Sequence, residues 1–206
     1  MWLYIFGSVV RGELDRQSDV DMLAVLEDKS AQGSLPNTFL VYSKMELTEC
    51  FERGDLFSHH LAAESRLVYS FDGSDVIREL GMPAPYQTSA DDFECFCDIL
   101  EEALRQLRSG SNCSVFEHGL LYMALRDVAM ILSYRERERP IFSKYAPYRV
   151  DPKLKLDLAK YESIKSCRAA STRGPVAGEL KALSRDDLNT IDDWVRSSRR
   201  VFCERL

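Results

Sequence analysis

The sequence predicts an α+β protein in which strands and helices alternate up to about Gly81 and an antiparallel bundle of helices follows. Three observations carry this prediction. Short apolar runs at 3–6, 20–26, 38–42 and 67–71 have strand length and are separated by polar or helix-forming stretches. Gly81-Met82-Pro83-Ala84-Pro85 then breaks the pattern, because two prolines so close together cannot continue a helix and favour extended backbone. Beyond it, Phe93, Phe96, Ile99, Leu100, Ala103, Leu104 and Leu107 recur at three and four, which places one apolar stripe on a single helix.

The elements follow in order. Ser43-Lys44-Met45-Glu46 has the form of a capping box, so a helix is predicted from there to about Arg53. A second runs over 55–65, and the strand 67–71 is closed by the turn pair Asp72-Gly73. In the back part a helix is predicted over 90–108. Ser114-Val115-Phe116-Glu117 reads as another capping box, opening a helix to about Tyr134. A loop through Pro140 and Pro147 precedes helices at 153–167 and 186–203. The predicted organisation is a first domain over 1–80, a linker over 81–89 and a helical bundle over 90–206.

Composition narrows the function classes. The chain has 206 residues, of which 45% are hydrophobic and 29% charged, enough to bury a core. A net charge of −6 argues against binding DNA by bulk charge, and Arg196, Arg199 and Arg200 read as a solvated face. The opening Met1-Trp2-Leu3-Tyr4-Ile5-Phe6 is too short to span a membrane and lacks the flanks of a signal peptide, so a cytosolic protein without membrane partners is expected. Cys50, Cys95, Cys97, Cys113, Cys167 and Cys203 show no C-x-x-C spacing and read as reduced, mostly buried thiols.

The chemistry is concentrated near the start. Asp19 and Asp21 stand at i and i+2 of a predicted strand, so both carboxylates share one face while Val20 takes the other. Two carboxylates a few ångströms apart repel each other unless a cation lies between them. Hard oxygens in a compact pair suit Mg2+, which completes its shell with waters and phosphate oxygens. Gly7-Ser8 supplies the complementary half: glycine lets the backbone turn close to a ligand, and N–H groups with a hydroxyl cradle phosphate oxygens. Arg11 adds a cation suited to a triphosphate tail.

Gly7-Ser8, ten residues, then Asp19-Val20-Asp21 resembles the signature of the DNA polymerase beta-like nucleotidyltransferase superfamily, in its minimal, antitoxin-like branch. The resemblance covers roughly residues 3–73. It implies a mixed sheet with helices and the transfer of a nucleoside monophosphate from a nucleoside triphosphate, with ATP the expected donor, to a hydroxyl. It also implies that Gly7, Ser8 and Arg11 bind the nucleotide while Asp19 and Asp21 are catalytic and hold one or two Mg2+ ions.

The sequence departs from that pattern in two places. Active members carry a third carboxylate on a following strand, and the equivalent position here is Thr38, with Glu46 or Asp55 as candidate substitutes from neighbouring helices. Relatives also carry a helix ahead of the Gly-Ser strand. None precedes Leu3 here, and a strand edge left uncovered in this way invites a second copy, so a homodimer is among the expected partners.

Other motifs read as structural. His59 and His60 diverge by about 100° on a helix and do not chelate together. Arg53 and His59 match the R-x5-H spacing of HEPN ribonucleases by coincidence. The back part looks somewhat like the HEPN-like or substrate-binding helical domains that accompany such transferases. Arg126 and Asp127 either face a substrate or form an ordinary exposed pair, and the run at 135–139 is a solvated charge run. Three readings stay open: a nucleotidyltransferase acting on a protein, RNA or small-molecule acceptor; a nucleotide-binding or scaffold protein lacking the base; and an antibiotic adenylyltransferase.

Overall fold

The structure, a computed structural model, describes residues 1–14, 20–28, 35–136, 140–174 and 182–204. It divides into two units, Met1–Ser89 with Phe142–Lys144, and Ala90–Ile141 with Tyr145–Leu206. The fold is α+β.

The first unit runs β1 (Trp2–Phe6), α1 (Ser8–Arg11), β2 (Asp21–Leu26), β3 (Phe39–Ser43), α2 (Lys44–Arg53), α3 (Leu56–Glu64), β4 (Arg66–Ser70) and α4 (Val76–Leu80). The sheet order is β3-β2-β1-β4. β1 is antiparallel to both β2 and β4, and β2 runs parallel to β3, so the sheet is mixed. Because β1 is paired on both sides, the sheet edges are β3 and β4. The uncovered edge expected at the first strand is therefore not there.

Side chains of one strand alternate between faces, and register partners share a face. Trp2 and Val25, then Tyr4 and Leu23, form successive rows on the face that buries the core with Leu47 and Phe51 of α2, Leu61 of α3, and Val76 and Ile77 of α4. The Tyr4 hydroxyl donates to Asp75 Oδ1 at 3.0 Å and accepts the Ile77 N–H at 3.2 Å, which fixes the start of α4 under the sheet. Burial and the nearby Asp75 carboxylate push the Tyr4 phenol well above its ordinary range, so it stays neutral and able to donate.

The Ser43 capping box is present: Ser43 Oγ accepts the Glu46 N–H at 3.2 Å and Glu46 Oε2 accepts the Ser43 N–H at 2.8 Å. Asp55 caps α3 by accepting the Ser58 N–H at 3.0 Å. The segment expected as a linker over 81–89 is fastened to this unit. The Ala84 N–H donates to Phe51 O at 2.8 Å, and His59 Nε2 bonds Ala84 O at 3.1 Å. A Cβ on Gly54 would lie 2.0 Å from that same Ala84 oxygen, so this approach needs a glycine.

The second unit holds α5 (Ser89–Arg108), α6 (Ser114–Glu136), a single 3-10 turn at Ala146–Tyr148, α7 (Leu158–Arg173) and α8 (Arg185–Glu204). Phe93 near the start of α5 stacks on Phe202 near the end of α8 at 3.9 Å, while Arg108 at the end of α5 reaches Asp192 in the first half of α8 at 2.9 Å. These two helices are therefore antiparallel. Gly119 of α6 lies against the backbone of Arg168 of α7, and Tyr122 meets Tyr161 farther along, so this pair is antiparallel as well.

Two helix starts differ from expectation. The Glu117 N–H bonds Cys113 O at 3.1 Å, so Cys113 takes the cap position and Ser114 stands in the first turn. α7 begins at Leu158, capped by Asp157, because Leu154 and Leu156 are buried two residues apart, the spacing of extended chain. The six cysteines are all free. Cys50, Cys97 and Cys167 are buried, while Cys95, Cys113 and Cys203 are exposed, so only half follow the expected burial.

Candidate functional site

β1 ends at Phe6, and Gly7 turns the chain with φ 73° into the single helical turn α1. That φ lies in the left-handed region open to glycine. The Gly7 carbonyl accepts the N–H groups of Val10 at 3.1 Å and Arg11 at 3.2 Å, and Ser8 O accepts the Glu13 N–H at 2.9 Å. The first-turn N–H groups of Ser8 and Val9 have no acceptor within the turn, as at any helix start.

The antiparallel register sets Phe6 opposite Asp21, the exposed first residue of β2. A Cβ placed on Gly7 would lie 2.5 Å from Asp21 Oδ2. The Gly-Ser turn and this acidic strand end therefore meet, and they meet because position 7 has no side chain. Asp19, the other half of the acidic pair, lies outside the described residues, as does Ser18 before it. Among the described residues no group of three or more His, Cys, Asp or Glu side chains is placed to hold a metal. The hard oxygens of Asp21, beside the Gly7 turn, are of the type that Mg2+ takes.

The parallel register starts with Met22 beside Phe39, so Thr38, expected inside this strand, stands in the turn directly ahead of it. Leu23 and Val25, on Asp21's face of β2, pair with Leu40 and Tyr42, so the β3 residues sharing that face are Leu40 and Tyr42, neither of them acidic. Glu46 follows Ser43, whose row with Leu26 is four residues past the Met22 and Phe39 row, about 13 Å along the strands at the usual rise. Asp55 caps the far end of α3 and pairs with Arg53 at 3.2 Å. Both candidate substitutes thus serve as helix caps.

Arg11 closes α1. Its Nε donates to Glu13 Oε2 at 3.0 Å and its Nη1 pairs with Glu64 Oε2. Glu64 also bonds His60 Nε2 at 3.0 Å, and the His60 ring meets Phe6 edge-on at 5.5 Å. Phe142 stacks on His60 at 4.5 Å, and Ser143 Oγ donates to Glu13 Oε1 at 2.7 Å. Glu13, Glu64 and Ser143 carry no sequence signal: they are brought together from positions more than fifty residues apart.

The remaining candidates have local partners. His59 is buried against Ala84 O, and burial lowers its pKa below the ordinary histidine range. Arg53 bonds Asp55 and Cys50. Arg126 pairs with its neighbour Asp127 at 3.0 Å. Arg199 is bound by Glu94, Asp98 and Glu101, and Arg196 by Asp192. Arg137, Glu138 and Arg139 lie outside the described residues. Among the described residues no helix is long and apolar enough to cross a membrane.

Residues 3–70 match the family model of a nucleotidyltransferase domain. That span runs from the second residue of β1 through β4 and includes Gly7, Arg11 and Asp21, while Phe142 and Ser143 lie outside it. The match supports the nucleotidyltransferase superfamily and a transferase class for this part of the chain. The search of curated proteins found no match.

Proposed function

We propose that the first unit is an Mg2+-dependent nucleotidyltransferase that moves a nucleoside monophosphate from a nucleoside triphosphate, with ATP the expected donor, to a hydroxyl of a protein, RNA or small-molecule acceptor. The observation that carries this reading is the approach of Gly7 to the Asp21 carboxylate, within a segment that matches a nucleotidyltransferase domain. Gly7 and Ser8 hold the β and γ phosphates through backbone N–H groups and the Ser8 hydroxyl. Asp19 and Asp21 hold the cation. Bound there, Mg2+ supplies the positive charge that offsets the triphosphate and the departing pyrophosphate.

In the transfer the acceptor oxygen bonds to the α phosphorus as the bond to the bridging α–β oxygen breaks. Pyrophosphate leaves with that electron pair, and the acceptor proton passes to solvent. Fixing the phosphate tail on a rigid turn makes the attack in-line and effectively unimolecular. The helical unit, likened from sequence to HEPN-like or substrate-binding domains, is assigned the acceptor.

Thr38 favours a second reading. Neither Thr38 ahead of β3 nor Leu40 and Tyr42 on its Asp21 face can take a proton near neutral pH, so a protein that binds nucleotide without transferring it is consistent with this strand. Incubation with α-labelled ATP, Mg2+ and a cell extract separates the two. Label on an acceptor, lost in Asp19→Asn and Asp21→Asn, supports transfer; nucleotide binding without label supports the second reading.

A further inference from the structure

Six residues around the end of α1 form one closed chain of contacts. Arg11 pairs with Glu13 and Glu64, Glu64 bonds His60, Phe142 stacks on His60, and Ser143 returns to Glu13. The Arg11, Glu13 and Glu64 side chains are only 17%, 14% and 15% exposed, and Phe142 and Ser143 are buried. We propose that Arg11 is a positioning residue for the phosphate-binding turn, held in place by Glu13 and Glu64, rather than a ligand of the triphosphate. The proposal rests on the nucleotide-binding reading above.

Two physical arguments lead to it. α1 is four residues long, and a helical turn of that length does not persist unaided, because nucleation fixes several dihedrals for the first hydrogen bond. Tertiary anchors must hold it, and Arg11, its last residue, bridges to α3 through Glu64 and to the following loop through Glu13. A planar guanidinium is suited to two carboxylates at once. The second argument is charge. Drawing Arg11 out to a polyphosphate would take from the partly buried Glu13 and Glu64 the guanidinium that both carboxylates share, and removing one partner of a partly buried ion pair is disfavoured. The pairing that holds the turn thus opposes a direct contact with phosphate.

The role assigned to Phe142 and Ser143 follows. Residues 142–144 belong to the first unit although they lie some fifty residues past the end of its main segment. They complete the chain of contacts that locks Arg11, so a fragment ending at Ser89 would lack part of the support for its own Gly-Ser turn.

The test is calorimetric titration of the full chain with Mg·ATP and, separately, Mg·tripolyphosphate, for the wild type, Glu64→Gln, Arg11→Gln and the double variant, with Asp21→Asn as reference. A positioning role predicts that Glu64→Gln weakens both ligands by a common factor of about fivefold or more, and that adding it to Arg11→Gln weakens them no further. If Arg11 were a phosphate ligand, Glu64→Gln would free its charge, so tighter binding overturns the proposal. A lower melting temperature with unchanged affinity for tripolyphosphate also overturns it, since a merely structural role gives that result. Glu13→Gln supplies the same readout should Glu64→Gln not fold. A wild type that binds neither ligand, or an Asp21→Asn variant that binds both unchanged, overturns the underlying nucleotide reading and this proposal together. Loss in Asp21→Asn with a gain in Glu64→Gln overturns the positioning role alone.

Discussion

Gly7 and Asp21 are in such close approach that a single added methyl group at Gly7 would lie 2.5 Å from the Asp21 carboxylate oxygen. The register that sets Phe6 opposite Asp21 delivers the turn to the acid, and the positive φ at Gly7 swings the chain past it. Gly7→Ala is expected to lower stability by about 1–3 kcal/mol, the usual cost of a non-glycine residue held in that region. It also displaces the Asp21 side chain, so Mg·ATP affinity should fall by more than the loss of stability explains. Urea melts with parallel nucleotide titrations check both parts; unchanged affinity would separate Asp21 from the site.

Thr38, directly ahead of β3, is a position for gain of function. Thr38→Asp adds a carboxylate next to Phe39, whose strand partner Met22 follows Asp21, and no acidic residue of β3 stands there. Since general-base catalysis contributes about 10²–10⁴-fold, this variant is expected to raise label transfer by an order of magnitude or more. Transfer that falls, with nucleotide binding intact, would show that the position does not face the acceptor.

The capping box at Ser43 lies at the opposite end of β3 from Thr38. Ser43→Ala removes the acceptor for the Glu46 N–H and should cost about 1 kcal/mol of stability. Nucleotide affinity should not change, because α2 begins far from Asp21. Chemical denaturation and titration of the same sample test the two statements independently.

His59 gives the first unit a pH dependence of known sign. Burial lowers its pKa, while the unfolded chain takes up the proton near the ordinary value of about 6.5. The stability associated with neutral His59 is therefore present above pH 6.5 and is lost as pH falls toward the lower folded value. His59→Gln can still donate to Ala84 O and is expected to flatten this part of the stability curve between pH 7 and 5. An identical slope in the variant would assign the titration elsewhere.

What could be read from the sequence was local. The apolar runs of β1 and β2, the Ser43 and Glu46 box and the helix over 55–65 each rest on a few consecutive residues, and each stands close to where the sequence puts it. α1 and α4, of four and five residues, are too short to show a helical period, and both went unseen. Ser114 has the residue types of a cap, yet the helix starts one residue earlier, so the motif alone did not fix the boundary. Thr38 is expected inside the strand 38–42 and stands one residue ahead of β3, a boundary that an apolar pattern does not fix. The Arg11 network has no such local pattern, since Glu64 meets Arg11, and Ser143 meets Glu13, only through the packing of α3 and the segment at Phe142. Burial of the non-local ion pairs is a property of the folded chain and leaves no periodic trace.

The central claim is that the Gly7-Ser8 turn grips a triphosphate tail beside a cation held by Asp19 and Asp21. A crystal structure of the full chain with Mg2+ and a non-hydrolysable ATP analogue tests it most directly. The account predicts the β and γ phosphates on the Ser8 hydroxyl and the backbone N–H groups of the turn, with the cation bridging them to both aspartates. A triphosphate bound elsewhere, or a cation that leaves Asp21 unligated, would contradict it.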